Sequence, residues 1–472
     1  MTAPVVLGID LATSAARVVA VDADSGAQLG FLGAPLHNRD AASGTAARQR
    51  PDYPAVVRRL LSDTVAALGP RAADIAALSV TGTSGTVVPL GADGAPVGDA
   101  VLYNDMSAGD FAARLDAAGY PAGPGSVAAR LAMLAQLPGV ARLAFTPDVV
   151  LGDLAGGPVP SDTSHALKAG IDPQLRSWPA GLTESGLVPA GLLGPLMHPG
   201  RRVGSVADEV AAALALPAGV ALVSGMTDGC GAQIAAGAVD VGDTMGVLGT
   251  TLVIKGVADA RVESADGAVY SHYAPDGHWW PGGASNSGAG VLAGTVAQRE
   301  LAALDTAAAE LGPARSLRYP LPGVGERFPV ADAAMTDWAV GTPTTAVEAH
   351  RSVLEGVAFV ERLGLERLAA LGVRLGEHRI VGGATRSSTW NRIRATVLGR
   401  PVRLVGAAGS GHGAAALAAA TLLEVPLAEL TRRWAGIPTI VHPDLDQIAA
   451  LDASYRSWCE ALQQHSALAA AH

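Results

Sequence analysis

The sequence predicts an α/β fold built from two similar domains that face a central cleft. Its 472 residues exceed the roughly 100–200 residues of one ordinary domain. Strand-like hairpins are followed by helical patterns, which is typical of a mixed sheet covered by helices. A turn of small and hydroxyl residues between two strand-like runs also occurs once in each half. We therefore expect domains over residues 1–240 and 241–472.

Charge and hydropathy limit the classes of protein to which this chain can belong. The formal net charge is −10, and 49% of the residues are apolar. An acidic chain has no electrostatic reason to bind nucleic acid or an anionic membrane, although backbone amides can still bind phosphate. No run of about 18 apolar residues predicts a membrane span. We expect a small-molecule ligand, with no nucleic-acid partner and no membrane partner.

The beginning of the chain and its cysteines predict a cytoplasmic protein. The segment "MTAPVVLGID" lacks the basic region of a signal peptide and enters a strand pattern directly. Cys230 and Cys459 lie far apart in the sequence, which does not make a disulfide framework.

The first half opens with a predicted β-hairpin. The β-rich runs "VVLGID" and "ARVVAVDADSGAQLG" are joined by "LATSA", and a further turn falls at residues 24–26. A helical pattern follows in "YPAVVRRLLSDTVAAL". Strands are then predicted in "IAALSVTG" and "GTVVPLGADGAPV".

The second half repeats this layout more loosely. "DTMGVLGTTLVIKGV" again places a small-hydroxyl turn between strand-like runs. "HRIVGGATRSSTWNRIRATVLGRPVRLVG" predicts a strand, a glycine turn, a helix and a strand, and "GHGAAALAAATLLEV" predicts a helix of small residues. The tail after about His442 predicts an amphipathic helix packed on the outside.

The first chemical motif is "GIDLATSAARVVAVD". Asp10 ends a strand, Thr13 and Ser14 form the hairpin turn, and Arg17 begins the return strand. A carboxylate beside a hydroxyl-rich turn suits Mg²⁺ with phosphate, because oxygen ligands hold the metal and turn amides hold the anion. The alternative is an ordinary hairpin, in which Asp and Thr are common.

Two glycine turns of the second half are candidate phosphate sites. Gly249 and the hydroxyls that follow it can cradle a phosphate, although a plain tight turn is an equal alternative. Gly382 and Gly383 follow a strand and precede a helix, whose N-terminus would face a nucleotide. The pattern of a P-loop is missing, and "GSGHG" at residues 409–413 lacks the spacing of a dinucleotide loop.

A lone carboxylate, Asp228, lies in the glycine-rich stretch "GMTDGCGAQIAAGAVDVGDTMGVLGTT". It follows the apolar run "GVALVSG", so we expect it at the end of a strand. A carboxylate there can be the general base for a hydroxyl. The commoner alternative is the N-cap of the helix that follows.

The order of these motifs resembles that of the FGGY family of carbohydrate kinases over nearly the whole chain. "GIDLATSAAR" resembles the opening phosphate hairpin of the family, and "PSDTSHALKAGID" its central segment. "VGGATRSSTWNRIRATVLGRPV" with "GHGAAALAA" resembles its adenine-side region. The resemblance implies two ribonuclease-H-like domains of the actin and hexokinase superfamily, with ATP, Mg²⁺ and a sugar in the cleft. A homodimer is compatible with it.

The resemblance also implies a role for each motif. It implies that Asp228 is the catalytic base, that Asp10 binds the metal, and that ATP is the phosphate donor. Nucleotide contacts are implied for Asp10, Thr13, Ser14, Arg17, Gly249, Thr250, Thr251, Gly382, Gly383 and Asn391. Sugar contacts are implied for Thr83, Ser84, Asp105, Asp162 and Asp228.

Several segments resemble the D-ribulose kinases of cyanobacteria and plants, including "VTGTSGTVVPL" and "YSHYAPDGHWWPGGASNSGAG". The Gln-Met-His motif of xylulokinases is missing where "TGTSGT" stands, and Ala12 and Gly409 also depart from the family pattern. We expect D-ribulose as the substrate. The alternatives are D-xylulose, another pentulose or pentitol, and a non-catalytic actin-like ATP-binding protein.

Overall fold

The computed structural model describes residues 2–39, 46–293, 298–406 and 409–470. Contacts between Cα atoms divide the chain into two compact units. The first consists of Met1–Gly237, His272–Gly277 and Ala408–Ala435, and the second of Ala238–Ser271, His278–Ala407 and Gly436–His472. The two units are therefore interleaved along the chain, whereas the sequence analysis used a single boundary near residue 240.

The described residues form the following strands and helices. The strands are β1 (Val5–Leu11), β2 (Ala15–Asp22), β3 (Gln28–Pro35), β4 (Asn38–Arg39), β5 (Arg48–Gln49), β6 (Ile75–Gly82), β7 (Val87–Leu90), β8 (Ala100–Val101), β9 (Arg142–Phe145), β10 (Ser161–Asp162), β11 (Leu196–Met197), β12 (Arg202–Ser205), β13 (Ala221–Val223), β14 (Thr244–Leu248), β15 (Leu252–Gly256), β16 (Tyr270–Tyr273), β17 (Trp279–Ser285), β18 (Leu317–Tyr319), β19 (Trp338–Val340), β20 (His378–Val381), β21 (Val402–Leu404) and β22 (Thr439–Val441). The α-helices are α1 (Tyr53–Leu68), α2 (Gly109–Ala117), α3 (Val127–Leu134), α4 (Thr146–Ala155), α5 (Thr163–Ala166), α6 (Ala180–Glu184), α7 (Asp208–Ala213), α8 (Asp228–Ala235), α9 (Gln298–Glu310), α10 (Ala346–Ala370), α11 (Ser388–Val397), α12 (Ser410–Leu423), α13 (Leu427–Trp434) and α14 (Ile448–Ala470). Short 3₁₀ turns cover Gly69–Asp74, Leu167–Ala169, Ala190–Leu192, Ala289–Leu292 and Gly383–Arg386.

The main sheet of the first unit has the strand order β12-β13-β6-β1-β2-β3. Strand β1 runs antiparallel to β2, with Asp10 opposite Arg17, and parallel to β6, with Asp10 beside Thr81. All of β1 is buried, because elements cover both faces of the sheet at this strand. The predicted hairpin and the predicted helix over α1 are both confirmed.

Helix α12 belongs to the first unit and packs very closely there. A Cβ atom at Gly8 of β1 would overlap the carbonyl oxygen of Gly411, and one at Gly413 would overlap the carbonyl oxygen of Gly231. Only glycine lets a strand and two helices approach so closely. The small-residue composition of α12 therefore has a packing cause, and its N-terminus lies beside the end of β1.

Smaller sheets complete the first unit. One has the order β4-β5-β8-β7-β9, and β10 pairs with β11. Helices α2 and α3 contribute to an apolar core that includes Val87, Leu131 and Phe145. Helix α5 follows β10 directly and is buried throughout.

The second unit is built on a sheet of order β16-β17-β15-β14-β20-β21-β22. The predicted hairpin β14–β15 is antiparallel, and β20 runs parallel to β14. Helix α14, which the sequence predicted on the outside, places Leu451, Tyr455 and Trp458 in the core of this unit. The α/β class is confirmed.

Membrane crossing was tested by helix length and hydropathy. Within the described residues, no single helix is both long and apolar enough for a span, and the sharply bent pair α12 and α13 meets the test only when its two helices are taken together.

Candidate active site

Asp10 is an enclosed carboxylate at the end of a central strand. Its side chain is 4% exposed, and its Oδ2 atom accepts a hydrogen bond of 2.9 Å from Nη1 of Arg17. No hydrogen bond of normal geometry reaches its buried Oδ1 atom, although the hydroxyl of Ser410 lies close enough to interact with the carboxylate. A buried oxygen that lacks a donor marks a place where a ligand or ion fits.

The electrostatics of Asp10 favour a bound cation. Burial raises the pKa of Asp10, and the charge of Asp228 raises it further, whereas the hydroxyl of Ser410 and the guanidinium of Arg17 lower it. A divalent cation would stabilise both carboxylates. Among the described residues, no group of three or more His, Cys, Asp or Glu side chains is arranged to hold a metal. Mg²⁺ commonly keeps several water ligands and binds through one or two carboxylates together with phosphate oxygens.

The tip of the first hairpin is a tight turn in which Ala12 N–H donates to the carbonyl of Ala15 at 3.0 Å. Ala12 does not have a positive φ angle, so a Cβ is tolerated where the family commonly has glycine. The carbonyl of Thr13 accepts from Nε2 of Gln49, and Ser14 is exposed. The turn is thus anchored through its carbonyl groups.

Asp228 is the first residue of helix α8, and Thr227 is the N-cap. Asp228 is therefore one residue beyond the N-cap position that the alternative gave it. Its Oδ1 accepts from the backbone N–H of Gly229 at 2.7 Å, and the residue is half-buried. Gly225 lies just before it, and a Cβ there would overlap the carbonyl oxygen of Val80. Close approach to β6 is one reason for the glycines around this acid.

Thr83 and Ser84 follow β6 in the same unit. Thr83 is buried, and its hydroxyl is 2.6 Å from that of Thr86. The hydroxyl oxygen of Ser84 is buried without a hydrogen-bond partner. Ser84 therefore has an unused polar atom that a ligand hydroxyl would satisfy.

Asp105 and Asp162 are saturated by protein groups. Asp105 accepts from the backbone N–H groups of Ala47 and Ser107 and forms a short ion pair with Arg48. Asp162 accepts from two N–H groups of helix α5, and its Oδ2 is 2.6 Å from Nδ1 of His165. Their contact with a sugar remains a prediction of the sequence.

In the second unit, the turn over residues 249–251 is held by the backbone. The N–H of Gly249 donates to the carbonyl of Thr251 at 3.1 Å, and the carbonyl of Thr250 accepts from Gly290 N–H at 3.0 Å. A Cβ at Gly288 would lie 2.6 Å from the carbonyl oxygen of Thr250. The neighbouring segment therefore supports the turn at a distance that excludes side chains.

Gly382 and Gly383 lie beside this turn, because β20 is the parallel neighbour of β14. Gly382 has a φ of +102°, and a Cβ there would overlap the carbonyl oxygen of Leu248. Asn391 is buried on α11 and donates from Nδ2 to the carbonyl of Thr385 at 2.7 Å, while its Oδ1 has no partner. Asn391 thus supports the loop that begins at Gly382.

The sequence analysis missed three residues of the first unit. Ser410, within the discounted "GSGHG", begins α12 and interacts with the carboxylate of Asp10. Ser164 and His272 are hydrogen-bonded to each other, and Ser164 also accepts from the N–H of Thr227. A serine at the start of a helix of small residues was the available signal for Ser410. No local pattern marks the other two.

Comparison with known proteins identifies the class. The model of the FGGY family of carbohydrate kinases, C-terminal domain, matches residues 244–422. A xylulose kinase of Staphylococcus epidermidis is 27% identical over 48% of this chain and 47% of its own length, so the chain spans about half of that relative. A xylulose kinase of Streptomyces rubiginosus is 27% identical over 91% of each chain.

The fold is shared with a solved structure described as a "xyloylose kinase" from Brucella ovis. The TM-score is 0.87 over 98% of this chain and 100% of that chain, at 24% identity. This likeness confirms the predicted ribonuclease-H-like, actin and hexokinase type of fold. Fold and family model together resemble those of carbohydrate kinases. The FGGY family model covers residues 244–422, in agreement with the family that the motif order predicted.

Proposed function

We propose that the protein is an ATP-dependent kinase that phosphorylates the terminal hydroxyl of a ketopentose, most specifically the 5-hydroxyl of D-ribulose. The observation that carries this proposal is the pair of interacting carboxylates in the first unit. Asp10 is buried with an unused oxygen, and the charge of Asp228 is close enough to raise the pKa of Asp10. One acid suits a metal–phosphate group and the other suits a reacting hydroxyl.

The two acids would divide the reaction between them. Asp228 accepts the proton of the sugar hydroxyl, whose oxygen bonds to the γ-phosphorus while the bond from that phosphorus to the bridging oxygen of ADP breaks. A general base of this kind contributes about 10²–10⁴ in rate. Asp10 would hold Mg²⁺, which would supply charge compensation for the phosphates when bound. Arg17 is exposed enough to leave Asp10 and meet the transferred phosphoryl group.

The nucleotide is proposed to use mainly backbone groups of the second unit. Gly249, Thr250 and Thr251 form a turn without a carboxylate, and the Gly382–Gly383 loop lies beside it. Backbone N–H groups and hydroxyls in such turns bind phosphate without repelling it. Thr13 and Ser14 are proposed to do the same in the first unit.

The choice of D-ribulose rests on the wall formed by Thr83 and Ser84. D-Ribulose and D-xylulose differ only in configuration at C3, so a site separates them by which hydroxyl finds a partner. An unpaired buried polar group costs roughly 1–3 kcal/mol, enough for about tenfold to hundredfold discrimination. The unpaired hydroxyl of Ser84 is such a partner. Relatives named xylulose kinase make D-xylulose the leading alternative.

A coupled assay of ADP release with Mg²⁺ tests the proposal. It would compare kcat/KM for D-ribulose, D-xylulose, L-ribulose, pentitols and glycerol. A preference for D-xylulose would reject the substrate but leave the kinase. ATP binding without sugar-dependent ADP release would instead favour the non-catalytic, actin-like alternative. Cytoplasmic location and a homodimer remain predictions of the sequence.

A further inference from the structure

The position of Asp228 depends on the backbone just before it. The hydroxyl of Thr81 donates to the carbonyl of Met226 at 2.6 Å, and Gly82 forms a parallel bridge with Thr227. These contacts tie the segment to β6. The backbone N–H of Thr227 points elsewhere and donates to the hydroxyl of Ser164 at 3.2 Å.

Ser164 is a buried residue whose hydroxyl contacts several groups. It is 1% exposed, and its hydroxyl oxygen lies 3.1 Å from Nδ1 of His272 and 3.4 Å from the hydroxyl of Thr227. A serine hydroxyl donates once and accepts twice. Ser164 therefore uses its hydrogen-bonding capacity on the N-cap of α8 and on His272.

Helix α5, which contains Ser164, is held in place by hydrogen bonds. The carboxylate of Asp162 accepts from the backbone N–H groups of Ser164 and His165, each at 2.9 Å. On its other side, Nε2 of His165 is 3.1 Å from the carbonyl of Gly82. Since Gly82 also bridges Thr227, the contacts form a closed ring around the start of α8.

We propose that Ser164 is a positioning residue for Asp228, with His272 as the partner that orients its hydroxyl. The proposal rests on the proposed function, in which Asp228 is the base. Without the Ser164 hydroxyl, the buried N–H of Thr227 loses its acceptor, and the first turn of α8 can shift. A misplacement of about 1 Å can cost on the order of 10²-fold in rate.

The test compares Ser164→Ala with the matched control Thr163→Val. Thr163 is the adjacent residue of the same helix, is equally buried, and has a hydroxyl oxygen without a hydrogen-bond partner. Ser164→Ala should lower kcat at least tenfold, with KM for the sugar changed less than threefold. Hydrogen exchange of the segment 225–232, followed by mass spectrometry, should become faster. Thr163→Val should change neither quantity.

A second variant distinguishes a loss of positioning from misfolding. Ser164→Cys keeps a weak acceptor of similar size and should have intermediate kcat and exchange rates. Unchanged kcat and exchange in Ser164→Ala would overturn the proposal, as would equal losses in Thr163→Val. If wild type turns over no sugar while exchange still rises in Ser164→Ala, the proposed function fails and the tie between Ser164 and α8 stands.

Discussion

The two hairpins that are proposed to bind phosphate differ in the groups that hold their turns. The hairpin β1–β2 places the carboxylate of Asp10 against the guanidinium of Arg17. The hairpin β14–β15 has no acid in its turn, and its carbonyls are held by the N–H groups of Ala289 and Gly290. The first therefore depends on charge, whereas the second depends on close backbone packing.

This difference predicts which property of the protein changes when each hairpin is substituted. Burial opposes the charged form of Asp10, so its ionisation is a cost to folding that a ligand can offset. The turn between β14 and β15 has no buried carboxylate, so its folding carries no such ionisation cost. Its weak point is Gly288, where a side chain would collide with Thr250. Changes on the first side should affect the chemical step, and changes on the second should affect nucleotide affinity.

The largest effect on kcat should come from the substitution of Asp228, in the first unit. Asp228→Asn removes the base and should lower kcat by about 10²–10⁴, while the affinity for ATP, measured by calorimetry, changes little. The far-ultraviolet dichroism should stay that of wild type, because asparagine keeps the side-chain oxygen that accepts from the N–H of Gly229. A folded variant with near-normal kcat would refute the base assignment.

Asp10→Asn should separate activity from stability. We expect kcat to fall by about 10², because a metal-bridged phosphate loses its carboxylate. Stability should not fall. The folded-state pKa of Asp10 is raised, so ionisation in the native state is unfavourable above the unfolded pKa. In urea denaturation, the advantage of the variant over wild type should therefore grow as pH rises above the unfolded pKa of 3.8 and level off once Asp10 is ionised in the folded state. A clear loss of stability at pH 8 would contradict this account.

Gly288→Ala tests the β14–β15 hairpin, whose turn has no acid. The new Cβ would lie 2.6 Å from the carbonyl of Thr250 and should displace the turn. We expect KM for ATP to rise about tenfold, equal to roughly 1.4 kcal/mol of binding, with kcat nearly unchanged. Gly312→Ala is the control, because a Cβ there meets no atom within 4 Å. If both variants behave alike, the turn does not need this glycine.

The last prediction concerns the pH dependence of stability, and it compares a buried histidine in each unit. Burial alone would lower the pKa of His165, but the carboxylates of Asp162 and Asp148 raise it to about 9. Burial lowers the pKa of His378, since Arg394 already balances Glu361 nearby. We therefore expect the first histidine, and not the second, to be charged at neutral pH.

A raised histidine pKa stabilises the fold fully below the unfolded value of 6.5, and this contribution is lost as pH rises through about 9. The unfolding free energy should therefore fall between pH 6.5 and 9.5 in wild type and in His378→Gln. The fall should be smaller in His165→Gln. Equal slopes in all three proteins would show that His165 does not carry this charge.

Local patterns predicted much of the fold. The helix over Tyr53–Leu68 and the strand over Ile75–Gly82 coincide with the predicted segments, because apolar periodicity and turn residues act within a few positions of the chain. The two hairpins and the strand–turn–helix around Gly382 were predicted for the same reason. The position of Asp10 near the end of β1 follows from these boundaries. Asp228 was expected at the end of a strand, but it begins α8, and β13 already ends at Val223.

The partners of each side chain were decided by tertiary structure. The sequence could not show that Asp105 and Asp162 are saturated, that α12 joins the first unit, or that Ser164 holds the start of α8. Ser164 is 63 residues from Thr227 and 108 from His272, and no periodicity connects such positions. Sequence pattern determines which residues form a strand or helix, whereas burial and hydrogen bonding depend on neighbours that only packing brings into contact.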